Sequence, residues 1–207
     1  MLGAELIEHG HDFQEAREHG ERLASERGLH WMPSFHEDLI QGVSSYALEL
    51  FRSTPNIDSV YVPIGLGSGI CATVAVREAL GLSTKIVGVV AKAADAYKRS
   101  FEKGETVETD SANTIADGMA CRVPESGAVE IINRHVDRIV SLDEHEITDA
   151  MRAYFVDTHN VAEPAGAAPL AALLQERDRM QGKRVGLILT GANVDSSVFG
   201  PALLGME

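Results

Sequence analysis

The sequence predicts an α/β protein: an open, mainly parallel sheet with helices on both faces. Three observations predict it. Strand-like and helix-like segments alternate along the 207 residues, as in layered α/β folds. After Lys85, the stretch to Val90 is continuously apolar, as expected for a strand covered on both faces. A glycine-rich turn, Gly65-Leu66-Gly67-Ser68-Gly69, joins a β-rich run to a helix-like one.

The elements follow in order. Ala4 to Glu8 is a short apolar run that reads as a strand. Asp12 with Glu15 three residues on reads as a capping box, opening a helix with a thin apolar stripe of Phe13, Ala16, Leu23 and Ala24 that Gly28 stops. His30 to Phe35 reads as a second strand. Ser44 to Arg52 is helical, with Tyr46, Ala47, Leu50 and Phe51 as its buried side. Ser59 to Ile64 is a strand leading into the glycine turn, and Ile70 to Leu80 is a helix closed by Gly81. Lys85 to Val90 is a strand, Ala93 to Phe101 a helix, and Glu102 to Asn113 a polar loop. Val129 to Val136 is a helix and Arg138 to Leu142 a strand. A second capping box, Asp143 and Glu146, precedes the clearest amphipathic helix, with Ile147, Ala150, Met151, Tyr154 and Phe155 at helical spacing. Pro169 is expected in the first turn of a helix through Leu174. Arg184 to Leu189 is the last strand and runs into Thr190-Gly191-Ala192-Asn193.

Composition narrows the function. The net charge is −13, and charging all eight histidines still leaves the chain acidic. No basic face large enough to follow a nucleic-acid backbone is expected. Apolar runs are short, so no membrane span is expected. Two cysteines, Cys71 and Cys121, are too few for a disulfide framework; a reducing cytoplasm is the expectation. Three glycines in a strand-to-helix turn allow backbone amides to point inward at a helix N-terminus, which suits an anion. The dinucleotide pattern fails because Ile70 stands where a glycine is needed and Val89-Val90-Ala91 supplies no acid for a ribose. No phosphate-loop lysine follows, which argues against nucleoside triphosphates. A single phosphate monoester fits; a tight turn without ligand is the alternative reading.

Six motifs in one order resemble the threonine/serine dehydratase group of fold-type II pyridoxal-phosphate (PLP) enzymes, which includes serine racemase. They are Gly3-Ala4-Glu5-Leu6-Ile7, Gly42 through Glu49 with Ser45 for the usual threonine, Pro63 through Gly69, Ala116-Asp117-Gly118, Glu163-Pro164-Ala165-Gly166-Ala167 and Thr190-Gly191-Ala192-Asn193. The resemblance implies PLP as cofactor, its phosphate cradled by Gly65, Leu66, Gly67, Ser68 and Gly69. It places Gly118 and Glu163 near the ring and the Thr190 hydroxyl at the pyridine nitrogen. It implies an ammonia-lyase reaction that converts a hydroxy amino acid such as threonine or serine to a 2-oxo acid and ammonia. A racemase or β-replacement enzyme on the same scaffold and a non-catalytic phosphate-binding module are the alternatives.

The same resemblance exposes a gap. The family's Schiff-base lysine and its cofactor-contacting asparagine lie in N-terminal motifs that have no counterpart here. Lys85, Lys92, Lys98, Lys103 and Lys183 all lack that context. No catalytic residue is therefore assigned, and the chain alone is expected to be inactive. The resemblance implies that Met1 falls inside the family's small domain, with residues 1–36 as a strand–helix–strand remnant of it and residues 37–207 as the large PLP-phosphate-binding domain, consistent with a shortened chain, a broken reading frame or one half of a split enzyme. An orphaned strand edge at Leu2–Phe35 predicts pairing with a second copy or with a complementing N-terminal chain. Some relatives hold a divalent cation after the Lys85–Val90 strand. Here Val90 and Ala96 take the ligand positions, and Asp95 alone is a poor cage, so no metal is expected.

Other residues have bland readings. His9, His11 and His19 read as surface histidines and Cys71 as a buried structural thiol. Lys92 and Lys98 read as solvated, and Glu163, in a small-residue run, reads as a pocket acid rather than a helix-start acid.

Overall fold

A computed structural model describes residues 3–205; Met1, Leu2, Met206 and Glu207, at the ends of the two expected domains, lie outside the described residues. The chain divides into two compact units, Met1–Ser34 and Phe35–Glu207.

In the first unit, α1 (Phe13–Arg27) begins at Asp12, whose carboxylate accepts the Glu15 amide at 2.8 Å. The Glu15 carboxylate accepts the amide of His11 at 3.0 Å. Gly28 ends the helix at φ 64°, in the left-handed region that favours glycine. The two flanking strands expected from sequence are absent: residues 4–9 and 30–35 form no ladder. A strand is held by hydrogen bonds to its neighbours, and a short one alone has no independent stability. Among the described residues of this unit, neither segment has a second strand beside it. Leu6, Leu29 and Met32 consequently stay exposed.

The second unit is a four-stranded parallel sheet of order β3-β2-β1-β4, built from β1 (Ser59–Pro63), β2 (Lys85–Ala91), β3 (Arg138–Leu142) and β4 (Val185–Leu187). Alternation along the strands sends residues to opposite faces. Val60, Val62, Ile86 and Val90 enter one core with Phe51 of α2 (Glu37–Ser53), Ile70 and Val74 of α3 (Ser68–Ala79) and Ile132 of α5 (Ser126–His135). Tyr61, Val87, Val89 and Ala91 enter the other core. There they meet Ile147 and Met151 of α6 (Glu144–Thr158) and Ala167, Ala168 and Ala172 of α7 (Pro164–Gln175). Burial of these side chains contributes roughly 1.5–3 kcal/mol for each large aliphatic one. The remaining helices are α4 (Ala96–Lys103) and α8 (Ser196–Leu204).

The Asp143–Glu146 capping box forms in full. Pro169 does not open a helix: α7 starts at Pro164, and Pro169 lies in its interior. Pro164 takes the first-turn position that tolerates a missing N–H. Pro169 removes one helical bond, and the close alanine packing of α7 against the sheet offsets that loss. The last strand is shorter than expected, and α8 follows it without a sequence expectation. Among the described residues no helix is long and apolar enough to cross a membrane.

One side-chain network sits at the start of β3. Arg138 donates to Glu176 at 2.8 and 2.5 Å, to Asp137 at 2.6 Å and to the Tyr61 hydroxyl at 3.1 Å. Tyr61 in turn donates to Glu176 at 2.6 Å. Burial, reinforced by the Glu176 carboxylate, pushes the Tyr61 hydroxyl up to about 12. Burial alone would raise Glu176, but hydrogen bonds from Arg138 and Tyr61 outweigh it and hold the carboxyl below its usual range.

Candidate functional site

The loop after β1 is built from close approaches that exclude side chains. A Cβ on Gly65 would lie 2.3 Å from the Gly118 carbonyl oxygen. Gly67 adopts φ +98°, and a Cβ there would lie 2.7 Å from that of Ala128. Gly67 caps α3, so the loop ends on a helix N-terminus. Among the described residues, no acceptor takes the backbone amides of Gly65, Leu66, Gly67, Ser68 or Gly69. Several free donors on a glycine turn at a helix start define an anion site.

Other segments converge on the same place. A Cβ on Gly118 would lie 3.0 Å from that of Ala165. Glu163, at the N-terminal boundary of α7, receives its position from its own amide, which donates to the Gly191 carbonyl at 3.0 Å. A Cβ on Gly191 would lie 2.9 Å from a Glu163 carboxylate oxygen, so the acid lies directly over that glycine.

These segments enclose a cavity of about 670 Å³ at the C-terminal ends of β1 and β4. Ligands of open parallel sheets bind at that edge, and the volume suits a small cofactor. Its lining brings together every residue singled out for the cofactor: Gly65, Leu66, Gly67, Ser68, Gly69, Gly118, Glu163 and Thr190. Thr190 forms an exposed part of the lining. Sequence reasoning missed Val43, Ala165, Leu187, Ile188 and Leu189, and it placed Tyr46 and Leu50 only on a buried helix face. The signal that could have found the strand residues is the rule that a parallel strand's C-terminal end faces the ligand.

Among the described residues, no lysine lines the cavity. Lys85 pairs with Asp137, Lys92 with Asp143, Lys98 with Glu102, Lys103 with Glu105 and Lys183 with Asp58. Cys71 is buried one turn into α3, and burial pushes its thiol up to about 12, which makes it a poor nucleophile. Among the described residues no three His, Cys, Asp or Glu side chains converge as a metal cage; Asp95 pairs with Arg99 at 2.8 Å. His9 and His19 stack at 3.8 Å on the first unit's surface.

A glycine cradle with free amides, small residues opposite it and a hydroxyl farther along are groups that suit a phosphate-bearing cofactor. The chain belongs to the family described as pyridoxal-phosphate dependent enzymes, whose profile matches residues 1–191, and within it to the threonine/serine dehydratase group. It is 36% identical over 197 residues to the L-threonine ammonia-lyase of Geobacter sulfurreducens, covering 93% of this chain and 48% of that one. It is 31% identical to the L-threo-3-hydroxyaspartate ammonia-lyase of Pseudomonas sp, covering 98% of this chain and 64% of that one. The processed form of threonine deaminase isoform 2 from Solanum lycopersicum superposes with TM-score 0.89 at 26% identity, over 97% of this chain and 60% of that one. The chain thus spans about half to two thirds of the length of these relatives.

Proposed function

We propose that the cavity binds PLP and that the complete active unit is an ammonia-lyase acting on threonine, serine or a related hydroxy amino acid. The observation that carries the reading is the free-amide glycine cradle sharing one cavity with Gly118, Glu163 and Thr190, in a chain of this family. The loop amides and the Ser68 hydroxyl would hold the phosphate, and the α3 N-terminus would add its partial positive charge. Gly118 and Glu163 would border the ring, with Thr190 as hydroxyl partner of its nitrogen. When bound, PLP supplies an electron sink for loss of a Cα proton and a β-hydroxyl. A neutral hydroxyl such as Thr190 stabilises a charged ring nitrogen only weakly, which favours prompt departure of the leaving group over storage of a carbanion. The apolar walls from Leu187 and Ile188 exclude water from part of the site. The substrate loses water, the resulting enamine becomes an imine, and a returning water releases ammonia and the 2-oxo acid.

The lining without lysine supports a second element of the reading: this chain holds PLP non-covalently and does not turn over by itself. The amine would come from a complementing N-terminal chain, with residues 1–36 as the small-domain remnant that meets it. Titration with PLP, followed by ultrafiltration and by borohydride reduction with mass spectrometry, tests this. One retained equivalent, displaced by inorganic phosphate and leaving no covalent lysine adduct, is the expected outcome. Absence of retention defeats the cofactor assignment, and a stoichiometric adduct on one lysine defeats the non-covalent assignment.

A further inference from the structure

We infer that Tyr97 is a positioning residue that holds the Leu66 carbonyl outward and so keeps the Gly67 amide, in the same peptide unit, aimed at the anion. The inference rests on the cofactor reading above and adds a residue that sets the loop's affinity. A peptide unit that points its N–H into the cavity must send its carbonyl elsewhere, and a buried carbonyl needs a donor. The Leu66 carbonyl, which shares its peptide unit with the Gly67 amide, finds one on a tyrosine of α4. Tyr97 of α4, buried, donates to the Leu66 carbonyl at 2.7 Å and accepts the Glu125 amide at 3.1 Å. Tyr46 of α2 donates to the Gly69 carbonyl at 2.9 Å and lies 3.2 Å from the Thr73 hydroxyl, which donates to the same carbonyl at 2.9 Å. The Gly67 carbonyl between them accepts the Cys71 amide of α3.

The packing leaves room for this grip and little else. A Cβ on Gly67 would lie 3.3 Å from the Tyr97 hydroxyl, and one on Gly69 would lie 3.3 Å from the Tyr46 hydroxyl. Burial raises both phenols above their usual range, so both stay protonated donors through neutral pH. Removing the Tyr97 hydroxyl takes the side-chain donor from the Leu66 carbonyl, whereas the Gly69 carbonyl keeps the Thr73 hydroxyl when that of Tyr46 is lost. A Leu66 carbonyl that turned toward the cavity for a new partner would oppose the anion with its partial negative charge.

The test uses Tyr97→Phe and, as control, Tyr61→Phe, whose hydroxyl serves the Arg138–Glu176 network instead. Dissociation constants for PLP and for inorganic phosphate are measured with the 31P resonance of the bound phosphate. Tyr97→Phe raises both constants by about five- to tenfold, the effect of about one hydrogen bond, and shifts the 31P resonance. Tyr61→Phe lowers the melting temperature and leaves both constants within about twofold. A Tyr97→Phe chain that binds like the wild type overturns the inference, as does equal weakening by Tyr61→Phe, which would show a general stability effect. A wild type that binds neither PLP nor phosphate defeats the cofactor reading itself, a different outcome from tight binding that ignores Tyr97. If Tyr97→Phe fails to fold, the 15N resonance of the Gly67 amide in the wild type keeps the test: it moves when phosphate binds, and an unmoved resonance overturns the inference.

Discussion

The two ends of the sheet handle charge in opposite ways. At the C-terminal ends of β1 and β4, the cavity lining is mostly backbone, small residues and apolar walls, and Glu163 is its one ionisable acid among the described residues. Its attraction for anions comes from amides with no acceptor. At the start of β3, Arg138, Asp137, Glu176 and Tyr61 satisfy one another through side chains. The difference teaches that unsatisfied donors mark the place for a ligand, whereas a closed network of stronger charges does not. A chain of net charge −13 can still hold a phosphate because the relevant field is local and fixed in the backbone.

The sharpest way to break this comparison is at Gly65. Gly65→Ala puts a methyl into the Gly118 carbonyl, and backbone on both sides leaves no flexible group to yield. We expect a loss of about 3 kcal/mol in stability together with loss of detectable PLP binding, read by urea unfolding and by titration. Near-wild-type binding would mean that the cradle is not the anion site.

The network comes second. Glu176→Gln leaves Arg138 without its main counter-charge while both remain largely buried, their side chains 15% exposed. We expect a destabilisation of about 2 kcal/mol, below the range for fully buried pairs, with PLP affinity unchanged. A parallel fall in affinity would show that the two ends of the sheet are coupled.

The third effect is alkaline. Below pH 10, Tyr61 is protonated in both the folded and the unfolded chain, so it makes no pH-dependent difference. Above that, the unfolded chain ionises first, because the folded hydroxyl is raised to about 12. Stability therefore falls between pH 10 and 12, by on the order of 1–2 kcal/mol from this group. Cys71 acts with the same sign, from its usual 9 upward. Tyr61→Phe should flatten part of the decline in urea titrations at successive pH values. An unchanged slope would remove Tyr61 from the account.

What could be read in advance followed the physics of each signal. β3 matches its expected bounds, Arg138–Leu142, because an apolar run closed by a capping residue states both its start and its stop. The glycine turn was legible because its backbone freedom is local, and the motifs holding Glu163 and Thr190 pointed to residues that share its cavity lining. The flanking strands at Ala4–Glu8 and His30–Phe35 were not: strand formation is decided by a neighbour, and apolar composition says nothing about whether one is present. Pro169 misled because its missing N–H argues for a helix start, while packing of α7 against the sheet tolerates the loss. Tyr97 was invisible because its role depends on a contact with Leu66, 31 residues earlier in the chain.

The smallest expected effect belongs to Thr190. It is an exposed part of the lining, so solvent can replace what its hydroxyl offers, unlike what Tyr97 gives the Leu66 carbonyl behind the loop. Thr190→Ala should raise the PLP dissociation constant by less than about threefold, and leave thermal stability unchanged. In an active enzyme assembled with its lysine-bearing segment, the same change should lower turnover more than it lowers cofactor affinity. In the proposed reading the hydroxyl acts on the ring's electronics, whereas the loop amides supply the grip. Turnover that tracks affinity one for one would place Thr190 among the holding groups and erase its contrast with the glycine cradle.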